Sequence, residues 1–124
     1  CERRPELPPA RTAKLRAQAL TLKAQLEDVL GDDGVLITPT YPTVAPKHHK
    51  ALLPPFNFVN CAVFNALSLP VTAVPTCLNA AGVPTGVQVV AKEGNDHLTL
   101  AAALALEAAL GGWAYPVVQG AVAR

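Results

Sequence analysis

The segment that most limits how this chain can fold runs from Asp96 to Leu110. Asn95 or Asp96 is suited to cap a helix and Gly111–Gly112 to end it. Between them Leu98, Leu100, Ala101, Ala102, Ala103, Leu104, Ala105, Leu106, Ala108, Ala109 and Leu110 leave almost no polar face. A helix that is apolar all round must be buried all round or lie in a membrane. At 15 residues, interrupted by Glu107, it falls short of the roughly 20 needed to cross a bilayer. Burial inside a larger protein is the expectation.

Composition points the same way. The chain has 124 residues, the size of one ordinary domain, and is 51% hydrophobic with only 15% charged residues, against about a quarter charged in typical domains. A small domain exposes a large surface, so few charges imply that something else covers part of it. The formal net charge is +1, with no basic stripe to track phosphates, and no nucleic-acid partner is expected. Cys1, Cys61 and Cys77 are odd in number and widely spaced. Free thiols in a reducing, intracellular compartment fit them better than a disulfide framework or a zinc site. The sequence starts at Cys1 without a basic-then-apolar leader, and truncation is the expectation drawn from that start.

Upstream of the apolar helix the elements alternate. Residues 8–30 read as an amphipathic helix with Leu15, Ala19, Leu22, Leu26 and Val29 on one core-facing stripe; Lys14, Lys23, Gln25 and Glu27 face water, and Gly31 follows its end. Val35–Leu36–Ile37 begins a short buried strand over 35–38. Residues 39–55 carry Pro39, Pro42, Pro46, Pro54 and Pro55 and read as a loop, because proline lacks the backbone donor that regular structure needs. A short helix over 56–67, strands over 71–76 and 86–91, and a hairpin turn around Asn79–Pro84 complete the set. Helix, strand, helix, strand, strand, helix is an α/β or α+β order.

Four stretches resemble the amidase-signature family, and more narrowly its fatty-acid amide hydrolases. They are Leu36–Ile37–Thr38–Pro39–Thr40, Phe64–Asn65–Ala66–Leu67–Ser68–Leu69–Pro70–Val71, Val74–Pro75–Thr76 with Leu78, and Gly82–Val83–Pro84–Thr85–Gly86–Val87–Gln88–Val89–Val90. The tail adds Gly94–Asn95–Asp96–His97–Leu98–Thr99–Leu100, Leu106–Glu107, Gly111–Gly112–Trp113 and Pro116. The resemblance implies a partial amidase-signature fold, C-terminal portion only, with a mixed central sheet flanked by helices. It implies hydrolysis of a fatty-acid amide or other amide by a Ser–cis-Ser–Lys triad lying upstream of these residues, and no metal or organic cofactor. It also implies the remainder of an amidase chain as a partner, a homodimer, and a parent anchored to membrane through a segment N-terminal to these residues.

Ser68 is the sole serine and has no lysine near it in sequence, so no residue of this chain is expected to be catalytic. The resembling enzymes usually carry glycine where Ser68 and Cys77 stand, and a side chain at a left-handed turn costs about 1–2 kcal/mol. Phe56, Phe58, Val63 and Phe64, with Val59, form an apolar set that either packs a core or lines an acyl-chain pocket, since the corresponding region of the resembling enzymes borders the substrate channel. His48–His49–Lys50 read as a solvated loop tip or the mouth of such a pocket, since no third ligand stands at metal spacing. His97 and Glu107 read as helix-end contacts, Cys61 as a small core residue and Trp113 as packing for the tail. The reading that follows is scaffold, and part of an acyl pocket, inactive alone. A stand-alone binding protein derived from an amidase is the alternative, and a gene remnant the third.

Overall fold

The computed structural model describes residues 8–46 and 57–113. Six elements follow one another: α1 (Pro9–Leu30), β1 (Val35–Pro39), α2 (Val59–Leu67), β2 (Val71–Leu78), β3 (Pro84–Ala91) and α3 (Asp96–Leu110). The three strands form an antiparallel sheet in the order β1-β3-β2. The central strand, β3, is buried without interruption from Gln88 to Ala91, as expected for a strand covered on both faces. Alternation then sorts its side chains. Val90 belongs to a core cluster with Phe64, Leu67 and Leu69, against which Ala19, Leu26, Leu36 and Val63 pack. Thr72, whose register partner is Val89, hydrogen-bonds Thr99 of α3 at 2.8 Å. α1 and α2 therefore cover one face of the sheet and α3 the other.

Pro75 sits inside a strand without breaking it because β2 is an edge strand. A bulge between Pro75 and Cys77 absorbs one extra residue, and pairing continues to Leu78↔Pro84. The hairpin is thereby longer than the 71–76 and 86–91 strands expected from sequence. Its five-residue turn is held by Asn79, whose Oδ1 accepts from the N–H groups of Ala81 and Val83, both at 2.9 Å.

One expectation about the helices, the packed stripe of α1, is corrected. On α1, Leu15, Leu22 and Val29 are exposed, and the packed stripe runs instead through Ala19, Lys23, Leu26 and Leu30. The physical reason is ionic: Lys23 does not face water but reaches Glu93 beyond β3, and Glu27 Oε1 accepts from the N–H of Glu93 at 3.3 Å. Together with Ala19 and Leu26, which pack on the core cluster, those contacts mark a packed face about one residue round from the leucine stripe. On α3 a single stripe of Leu98, Thr99, Ala102, Ala103 and Leu106 meets the sheet, while Leu100, Leu104 and Leu110 are exposed. The helix is not buried all round by the described residues. Asn95 occupies the N-cap position, but its side chain donates to the Asp32 carbonyl at 2.7 Å and does not cap the helix. Among the described residues no helix is long and apolar enough to cross a membrane.

Lys92 bonds Asp32 at 2.8 Å and, by that hydrogen bond and its charge, holds the Asp32 carboxyl below its ordinary range; Asp32 raises Lys92 in return. The lowered carboxyl contributes stability that is present above its ordinary pKa and lost as pH falls through the lowered value. The raised amine contributes stability that is present below its ordinary pKa and lost as pH climbs through the raised value. Near neutrality both contributions are therefore fully present and do not vary with pH, and being exposed the pair is weak. Replacing Lys92 with methionine should return the Asp32 carboxyl, followed by NMR titration, to the ordinary carboxylate range. An unmoved titration would show that the two do not pair in solution.

Ser68 is the one non-glycine described residue with positive φ, at 55°. It ends α2 in a left-handed cap, its N–H turned back to the carbonyls of Asn65 and Phe64. Ser68→Gly should raise stability by about 0.5–1 kcal/mol, the left-handed strain of about 1–2 kcal/mol less the extra freedom glycine gives the unfolded chain. A urea midpoint that stays put or falls would refute this. Cys77 differs. It lies within β2 opposite Thr85 without positive φ, so no left-handed strain attends it.

Candidate functional site

Where β1 ends, Pro39 and Pro42 lack backbone donors and the chain leaves the sheet. The segment Thr40–Pro46 lies against the β2–β3 hairpin, and between them is an open cleft of about 710 Å³, within the range of small-molecule sites. Its walls are Thr40 to Pro46 on one side and Ala73–Pro75 with Pro84–Val87 on the other. Tyr41, Val44, Val74 and Val87 contribute apolar surface, and none of the lining residues carries a charge. Hydroxyl groups of Thr40, Tyr41, Thr43 and Thr85 supply the side-chain polarity. Thr85 Oγ1 donates to the Cys77 carbonyl at 2.9 Å, so the hydroxyl of Thr76, 3.0 Å away, is left to donate to it. Such a lining suits an apolar chain with one polar end. It offers no acid–base pair and no activated nucleophile.

The origin of the Thr40–Pro46 wall is fixed from below. Gln88, only 2% exposed, donates from Nε2 to the carbonyls of Asn60 at 2.9 Å and Pro39 at 3.3 Å. Asn60 Nδ2 donates to the same Pro39 carbonyl at 3.3 Å, and Cys61 Sγ reaches the Thr40 carbonyl at 3.1 Å. Cys61 is thus more than filler: its thiol tethers the start of the loop.

The residues singled out from sequence take different places. Phe64 is buried in the core cluster and Val63 packs against it. Phe58 stands at the N-terminal cap of α2, 60% exposed. None of these three lines the cleft. Phe56 and the His48–His49–Lys50 group lie outside the described residues. Among the described residues no cluster of three or more His, Cys, Asp or Glu side chains is placed to hold a metal. His97 and Glu107 are exposed on α3, where the Glu107 carbonyl accepts from the N–H of Gly111. The cleft residues Tyr41, Val44, Val74 and Val87, and Gln88 behind them, were not named as site residues by sequence reasoning, although Val74, Val87 and Gln88 stand in the stretches that carry the resemblance. The signals present were a run of prolines bracketing small side chains and a lone amide in the apolar run Val87–Ala91.

A family model described as Amidase matches residues 9–100. Among curated proteins, fatty-acid amide hydrolase 2 of Homo sapiens is 56% identical over 103 residues, 83% of this chain and 19% of that protein. Fatty-acid amide hydrolase 2-A of Danio rerio is 50% identical over 80% of this chain and 19% of its own length. Fatty-acid amide hydrolase 2-B of the same fish is 54% identical over 78% of this chain and 18% of its own length. The chain therefore spans about a fifth of the length of these relatives.

Proposed function

This chain belongs to the amidase family, and we propose that it supplies scaffold and one wall of the substrate pocket in a hydrolase acting on fatty-acid amides. The observation that carries this reading is the uncharged cleft beneath Thr40–Pro46, found in a chain 56% identical over most of its length to a fatty-acid amide hydrolase. An acyl chain gains about 0.8 kcal/mol for each methylene it buries, and a cleft without charge lets it do so without desolvating ionic groups. Phe58, with its exposed ring, is proposed to extend that wall. Val63 and Phe64 hold α2 in place behind it.

The chemistry belongs to residues outside this chain: a Ser–cis-Ser–Lys triad, lying upstream, in which lysine acts through the middle serine to activate the nucleophile. The bare face of α3, carrying Leu100, Leu104 and Leu110, is proposed to pack against the remainder of an amidase. A stand-alone binding protein would use that same face to meet a partner, and this keeps it as the second reading.

The test is immunoprecipitation from source extract with an antibody raised against residues 40–55. The hydrolase reading expects fatty-acid amide hydrolysis in the precipitate, together with a band several times heavier than 12.9 kDa. The purified 124-residue chain should hydrolyse the same amides about a million-fold more slowly than the precipitated enzyme, the usual loss when a serine nucleophile is absent. A single band of 12.9 kDa without activity would end the hydrolase reading in favour of a binding protein.

A further inference from the structure

The carboxamide of Gln88 does not line the cleft, yet it reaches the point where the cleft's wall begins. We propose that Gln88 is a positioning residue for substrate selectivity, setting the width of the cleft by holding the start of the Thr40–Pro46 segment against α2. The proposal rests on the reading of the cleft as an acyl-chain site. Three donors converge on two successive carbonyls: Gln88 Nε2 and Asn60 Nδ2 on Pro39, each at 3.3 Å, and the Cys61 thiol on Thr40 at 3.1 Å. Gln88 also grips the Asn60 backbone carbonyl at 2.9 Å, so one side chain joins β3, β1 and α2 beneath the wall. Pro39 and Pro42 cannot donate backbone hydrogen bonds of their own, and the carbonyls of Pro39 and Thr40 are the groups these side chains hold.

An isosteric apolar residue would fill the same space without the cost of desolvating an amide, and packing alone therefore does not call for glutamine. With methionine at this position both carbonyls lose a donor while the volume is kept. Asn60 and Cys61 still hold Pro39 and Thr40, so the wall is held less tightly against α2 without being released, and long acyl chains, which depend on contact along its length, lose more than short ones.

Cys61 provides a readout independent of any ligand. In the full 124-residue chain with Cys1→Ser and Cys77→Ser, Gln88→Met should speed maleimide labelling of Cys61 about tenfold, the factor that matches one lost buried hydrogen bond. Binding of dansylated hexadecanamide should weaken by a similar factor, and binding of dansylated octanamide by less. Val89→Ala, which opens space on the opposite face of the same strand, should change none of these. If Gln88→Met unfolds the chain by circular dichroism, Asn60→Ala removes the second donor on Pro39 and should give a smaller rise in labelling. Labelling no faster than in Val89→Ala would overturn the positioning role. Should the unsubstituted chain bind neither probe, the acyl-chain reading of the cleft fails, and selectivity with it, while the labelling rates still decide whether Gln88 holds the wall.

Discussion

Truncating Phe64 to alanine should cost about 3–5 kcal/mol of folding stability, the range for removing a buried aromatic side chain. Phe64 is 7% exposed and joins Leu67, Leu69 and Val90 in the cluster that fastens α2 to the sheet. The lost transfer energy and the cavity left behind act together. Net stabilities of small domains are about 5–15 kcal/mol, so the variant should lose a large share of its stability. Urea denaturation followed by far-ultraviolet circular dichroism measures this directly. The converse result is equally informative. A Phe64→Ala variant that kept its stability and instead changed its chain-length preference among acyl amides would place Phe64 on the pocket.

The second large effect is expected where α1 gives way to β1. The N–H of Gly34 donates back to the Leu30 carbonyl at 3.0 Å. A Cβ on residue 34 would lie 2.1 Å from that carbonyl oxygen, and the obstacle is backbone, which cannot swing aside as a side chain can. Gly34→Ala should therefore destabilise by about 1–3 kcal/mol, as overpacking does, with the strain falling on the α1 terminus. Leu30 is buried there, and Asp32 beside it holds Lys92 and Asn95. Hydrogen exchange should find the Gly31 and Gly34 amides losing protection before those of the β2–β3 hairpin. A Gly34→Ala chain with unchanged melting would mean that α1 and β1 separate more easily than this turn implies.

Local chemistry determined much of the chain. Gly31, Gly111 and the prolines punctuate the elements; the apolar run of β3 made a buried strand, and the mixed α/β class with its amidase likeness followed from motifs written contiguously. Which face of each helix meets the sheet was decided only by tertiary structure. On α1 the leucine periodicity pointed to Leu15, Leu22 and Val29, but long-range pairing of Lys23 and Glu27 with Glu93 moved the packed stripe to Ala19, Lys23, Leu26 and Leu30. On α3 the composition said only that much must be covered, whereas one stripe of five residues finds cover on the sheet and Leu100, Leu104 and Leu110 do not. The cleft and its support were the least legible. They arise where residues 40–46, 73–75 and 84–87 meet, and Gln88 gains its place from carbonyls 28 and 49 positions away. Periodicity and capping act within a few residues of one another, so they reveal elements; a cavity and a buried amide clamp exist only after distant segments have closed on each other.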